Sequence, residues 1–476
     1  MKATPVHSTW ILPVAGAAVF AVISGCRALQ SAPATSARTL ETTPPPVQTV
    51  ARAPAGPTFW PPTPVSAPYQ PSVTCHNCHE QIFEQHEQSS HAASFTNPLF
   101  QAQYFNELLP RVGKSEPLSQ EARRCAACHA PIAFVTHRYT IIRKEDTDPF
   151  TSGVTCDLCH SISGYSGDLP GNGNYISIPG QEKLGPFRHK DNWHHVYAEA
   201  QTRSELCGTC HNATNHKGLE VKSTFTEWKN SRFAKEGIQC QDCHMTVYGF
   251  LIAGAPVCES GRAARMTVGT APERSKLYTH RFPGAHSKTQ VVGAITLSIE
   301  LDQQVVSRGD EVTVRVRVDN SRTGHKMPSG SADLRQLWLG MEAQITDTLM
   351  RIPAASAFET GAYDVAGKGV FDAQILSNDI PAGSRVYRSI YVDEQGKQTL
   401  RSYEAAKIVF DNRLDPSEIR EETYRFRIPA TAKGDVVIVH ASLNYLPYPS
   451  SFARGLGLPT PETVEVASTR RELRLQ

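Results

Sequence analysis

Five short stretches decide what this chain can fold into. The segments CHNCH (Cys75, Cys78, His79), CAACH (Cys125, Cys128, His129), CDLCH (Cys156, Cys159, His160), CGTCH (Cys207, Cys210, His211) and CQDCH (Cys240, Cys243, His244) all read C-x-x-C-H. They take ten of the twelve cysteines. C-x-x-C-H is the attachment signature of c-type haem. Two thiols about one helical turn apart add across the two vinyl groups of a porphyrin, and the next residue coordinates the iron. A zinc site or a disulfide framework needs the thiols alone and places no demand on the residue after them. The expectation is five covalent haem c groups, with His79, His129, His160, His211 and His244 as proximal iron ligands. In such a chain the porphyrins supply much of the core. The surrounding backbone is expected to be loop-rich, with short helices at the motifs.

The flanks assign a compartment. A chain of 476 residues suggests two to three domains. A net charge of +2 with 20% charged residues gives no indication of nucleic acid as a partner. Haem thioethers form outside the cytoplasm. Lys2 and the apolar run Trp10 to Ile23 read as a signal peptide too short to span a bilayer. The run ends in VISGC, which resembles a bacterial lipoprotein box with Cys26 as the lipidated residue. An uncleaved anchor or an ordinary signal peptide are the alternatives. Arg27 stands where an Asp would signal inner-membrane retention, so an outer-membrane lipoprotein is expected, facing the periplasm or the cell surface. Residues 27–71 are rich in Pro, Ala, Thr and Ser with no hydrophobic period, which reads as an extended tether of up to about 130 Å. The expected division is 1–26 signal peptide, 27–71 tether, 72–288 pentahaem domain and 289–476 β-sandwich.

Each iron also needs a sixth ligand or an open position. His91 in EQSSHAASF, His280 and His286 in HRFPGAH, and His194 or His195 before the fourth motif are the first candidates, followed by His137, eight residues after His129. His76, His86, His189 and His216 are weaker, and Met245, Met266 and Met327 are candidates that the abundance of histidine disfavours.

Beyond about Lys288 the period changes to two. Ile295, Leu297, Ile299 and Leu301 alternate with polar residues, as do Val312, Val314, Val316 and Val318. RVYRSIYVD, ETYRFRI and DVVIVHASLNY continue the pattern. Short alternating strands of this kind predict an antiparallel β-sandwich. The overall class is therefore α+β and multidomain. Between two strands, the loop RTGHKMPSG carries His325, a candidate to reach back to a haem.

The order of S-x-H-A, five C-x-x-C-H units, H-x-F-x-G-x-H, alternating strands and T-G-H-x-x-P-x-G resembles multihaem c-type cytochromes with a C-terminal β-sandwich. The haem part of that family is related to the tetrahaem electron carrier of the hydroxylamine pathway. The resemblance runs from about Val73 to Tyr445 and implies electron transfer between redox proteins, with the membrane reached through the lipid anchor. Two alternatives remain. One is a multihaem reductase acting on a small nitrogen compound at one open haem; the other is a filament-forming cytochrome. Ammonia-forming nitrite reductase is disfavoured, because its catalytic haem uses C-x-x-C-K and all five motifs here end in His.

Overall fold

The computed structural model describes residues 69–188, 194–265, 271–357, 363–367 and 379–476. Cys26, His189, Met266, the signal segment and the tether up to residue 68 lie outside them. Among the described residues no helix is long and apolar enough to cross a membrane.

Each motif lies on or beside a helix: Glu116–His129 and Ser204–His211 hold theirs whole, Cys156–Cys159 holds both thiols of the third, Ser72–His76 holds Cys75 with Cys78 and His79 just beyond it, and Gln241–His244 follows Cys240. A helical turn brings the two cysteines of C-x-x-C onto one face, and the histidine ends the turn beside them. Between and just after the motifs run loops and four two-stranded sheets, such as Ile162–Tyr165 with Tyr175–Ser177. These small sheets have no period-two signature in the sequence. Their strands have only two to five residues, and turns rather than alternating side chains define them.

From Thr296 onwards the regular elements among the described residues are strands, apart from the helix Ser450–Gly455. The strands Ile419–Arg427, Glu311–Asp319 and Thr296–Leu301 form one antiparallel sheet. A six-stranded sheet is built around Val436–Leu446, flanked by Gln336–Ile345 and Val464–Leu475. Val312, Val314, Val316 and Val318 are fully buried and share one apolar core with Leu337, Leu339, Val437 and Val439 of the second sheet. At ~1.5–3 kcal/mol per side chain, such burial supplies the main drive for this half of the chain. Ile295 and Ile299 are buried as the alternation predicts, whereas Leu297 and Leu301 pack at the margin of that core.

The β-rich part is seated on the helical part. Tyr403 is buried among Tyr104, Leu108, Val112 and Ala122. Tyr391 donates to the Val221 carbonyl at 3.2 Å, and Asn215 donates to the carbonyls of Ser402 at 3.0 Å and Ala405 at 2.7 Å. This seating carries a loop of the second half against the motifs of the first.

Candidate haem-binding site

A hollow of about 1530 Å³ runs through the helical part and along its seam with the β-rich part. All ten motif cysteines and all five motif histidines line it. Thiols of different motifs also lie against one another. Cys75 interacts with Cys156, Cys128 with Cys210, and Cys207 with Cys240, while Leu206 and Cys210 on the fourth motif's helix pack on the cluster that holds Leu158 of the third. The fourth motif therefore meets the second, third and fifth, and the first meets the third.

Four of the five proximal histidines face a second imidazole. Ring centres are 6.0 Å apart for His79 and His194, 6.0 Å for His211 and His91, 6.3 Å for His160 and His280, and 6.1 Å for His244 and His325. Two imidazoles bound to one metal through bonds of ~2 Å, each ring centre about 1 Å behind its nitrogen, stand about 6 Å apart. The residues present therefore fit an iron porphyrin held on both faces.

The tautomers agree with that fit. A carbonyl oxygen only accepts, so a ring nitrogen beside one must donate. His79 Nδ1 donates to Ala263 O at 2.8 Å, His129 Nδ1 to Ser94 O at 2.8 Å, His160 Nδ1 to Leu184 O at 2.7 Å, and His325 Nδ1 to Lys326 O at 2.9 Å. Each bond orients its ring and leaves Nε2 as the ligating atom. Burial lowers His91 and His280 to about 3 and His129, His211 and His244 to about 4, with neighbouring basic groups adding to the effect. These imidazoles are neutral at physiological pH, as metal ligation requires.

The distal segments are locked by local geometry. His91 packs against Phe282 with ring centres 4.4 Å apart, and Phe282 also lies against His280 at 6.2 Å. Ser90 N donates to Phe282 O at 2.9 Å. Gly284 has φ +75°, and a Cβ there would meet Ser90 Oγ, so this close approach requires glycine.

Three sequence candidates face no motif histidine in the contacts seen among the described residues. His137 is exposed, donates Nδ1 to Ala133 O at 2.8 Å and does not line the hollow, because the helix Pro131–Thr136 leads away from it. His195 lines the hollow, but its Nε2 donates to Phe187 O at 2.7 Å; the neighbouring His194 faces His79 instead. His286 also lines the hollow but lies against Tyr448, ring centres 6.0 Å apart, and faces no motif histidine among the described residues. Of the weaker candidates, His86 is buried with Nε2 on Val154 O at 2.9 Å, His76 lies beside Phe83, and His216 pairs with Glu121 at 3.1 Å. Met327 belongs to the β core.

His129 stands apart. Its ring is stacked on Phe100 at 4.0 Å and 7°, and among the described residues no second imidazole faces it. Sequence reasoning also missed the four carbonyl acceptors, since a backbone oxygen leaves no mark in residue type.

Residues 74–161 match the family described as Cytochrome c554 and c-prime. The chain is similar in structure to a penta-heme cytochrome c552 from Thermochromatium tepidum, with TM-score 0.59, 22% identity, and coverage of 85% of this chain and 99% of that one. Two further likenesses are an alkylpurine DNA glycosylase from Pseudomonas fluorescens (TM-score 0.16, 9% identity, 40% of this chain and 32% of that one) and the sporulation control protein Spo0M from Bacillus subtilis (0.15, 11%, 39% and 50%). At those TM-scores neither carries weight. No curated protein matches the chain. The partial family match, the shared fold and the five attachment motifs together support a multihaem c-type cytochrome.

Proposed function

We propose that the chain is an electron carrier, exchanging electrons with other redox proteins through five haem c groups from an outer-membrane lipid anchor. The observation that carries this reading is the set of four facing imidazole pairs 6.0–6.3 Å apart. An iron ligated by imidazole on both faces changes oxidation state with little ligand rearrangement. It offers no position to a substrate, which suits transfer rather than catalysis. The contacts among different motifs support close spacing from the first motif to the fifth, with the fourth at the centre.

His129 favours a second reading, in which one iron keeps an open position and reduces a small nitrogen compound. Electron paramagnetic resonance of the ferric protein separates the two. The carrier reading expects four low-spin haems, at most one high-spin haem, and no turnover of nitrite or hydroxylamine. A full high-spin haem joined to turnover of either compound would replace the carrier with the reductase.

The anchor has its own test. Two or more acyl chains on Cys26 hold a protein at a membrane stably, where one chain does so only marginally. Cys26→Ala is expected to release soluble cytochrome or block maturation. Unchanged membrane retention on fractionation would point to an uncleaved helix.

A further inference from the structure

His325 is brought to His244 from the β-rich part, and the loop that carries it is held by one carboxylate of the helical part. Glu227 lies in the helix Thr224–Lys229 and is 9% exposed. Its Oε1 accepts from Arg413 Nη1 at 2.9 Å and Ser223 Oγ at 2.7 Å. Its Oε2 accepts from the Lys326 backbone N–H at 3.1 Å and Ser329 Oγ at 2.8 Å. Both oxygens are thus saturated, and three of the four donors belong to the β-rich part.

The same residue, Lys326, is fixed at both ends. Glu227 holds its N–H, and its carbonyl receives the Nδ1 hydrogen of His325. Around this point the contacts close. Arg413, itself buried, also donates to Pro328 O at 3.2 Å and grips Asp411 through Nε and Nη2 at 2.9 Å each. Thr224 Oγ1 meets Ser329 Oγ at 2.9 Å and accepts from Gly330 N at 3.2 Å. Gly324 lies over Trp228, where a Cβ would come within 3.2 Å of the indole, so the loop approaches this helix as closely as a glycine allows.

We propose that Glu227 is the positioning residue for His325: by holding Lys326 it sets the imidazole across from His244 and ties the seating of the β-rich part to the ligation of the fifth-motif iron. This rests on the pairing of His244 with His325 proposed above. Removing the carboxylate takes one acceptor from the Arg413 guanidinium and from the Ser223 and Ser329 hydroxyls and removes the acceptor that Glu227 gives the Lys326 N–H, so the loop must shift to replace them.

The test uses the purified holoprotein, with His325→Ala as reference. His325→Ala will turn one further haem high-spin, and added imidazole will return it to low spin; no spectral change would refute the pairing itself. Glu227→Ala will convert the same haem while intact mass still reports every haem attached. Glu227→Gln, which keeps the shape but sets an amide N–H₂ against donors, will give a partial conversion. Adding Glu227→Ala to His325→Ala will change the spectrum no further, because the two act on one contact. If Glu227→Ala does not fold, Glu227→Gln decides. A wild-type low-spin spectrum in the variant that folds, or conversion of a different haem, would overturn the proposal.

Discussion

Replacing His91 by Ala will turn the fourth-motif haem high-spin and open it to carbon monoxide. His91 faces His211 at 6.0 Å and is held by Phe282 on its other side, so the imidazole serves as both ligand and packing. Alanine cannot reach an iron, and the two distal-side histidines next to His91 are already held elsewhere. His86 is engaged by Val154 O, and His280 faces His160. The consequence reaches beyond one site, because the fourth motif touches the second, third and fifth. Loss of its ligand changes the potential of the central haem, and electron exchange between the first and fifth haems slows with it. Ferric resonance and a carbon monoxide difference spectrum read the spin change, and stopped-flow reduction reads the transfer. His137→Ala serves as the control, since that exposed side chain lies off the hollow. If His91→Ala leaves the low-spin count intact, the pairing is wrong.

The second large effect is expected at Cys207 and Cys210. Changing both to Ala removes the fourth attachment point. In a fold whose centre is lined by thiols, a missing porphyrin leaves apolar walls facing one another across a gap. The helix Ser204–His211 is closely confined: a Cβ on Gly208 would come within 2.6 Å of Phe225 and 2.8 Å of Pro170. Cys210 packs on the cluster of Ala127, Leu158 and Tyr175. The double variant should therefore accumulate at a small fraction of the wild-type yield, with any recovered protein lighter by one haem on intact mass. The matched variant at Cys75 and Cys78 should lose one haem but keep most of its yield, because Cys78 is exposed whereas both thiols of the fourth motif are part-buried. Equal yields would mean that the central haem is not part of the core.

Much of the site is legible in residue order because its chemistry is covalent and local. C-x-x-C-H specifies attachment within five residues, and a helical turn suffices to present it. The strand Glu311–Asp319 is equally legible, since one face meets the core and the other meets solvent. The strand Gln336–Ile345 leaves no such mark in the sequence, for the opposite reason. Leu337 and Leu339 enter the core between the sheets, while Trp338 on the other face is covered by Leu334, Val386, Leu446 and Phe452, so the apolar run does not alternate.

What only the tertiary structure decided is which histidines meet. His194 and His195 are adjacent, and sequence leaves the choice open. Pairing of Lys183–Gly185 with His195–Tyr197 turns His195 toward Phe187 O, while His194 meets His79. His280 and His286 share one segment, but the turn at Phe282 and Gly284 brings His280 to His160 and sends His286 to Tyr448. His325 lies 81 positions from its partner His244, and it arrives there only because Glu227 and Arg413 dock its loop. A proximal ligand is set by the bond next to it in the chain. A distal ligand is set by the packing of whole segments that are remote in sequence.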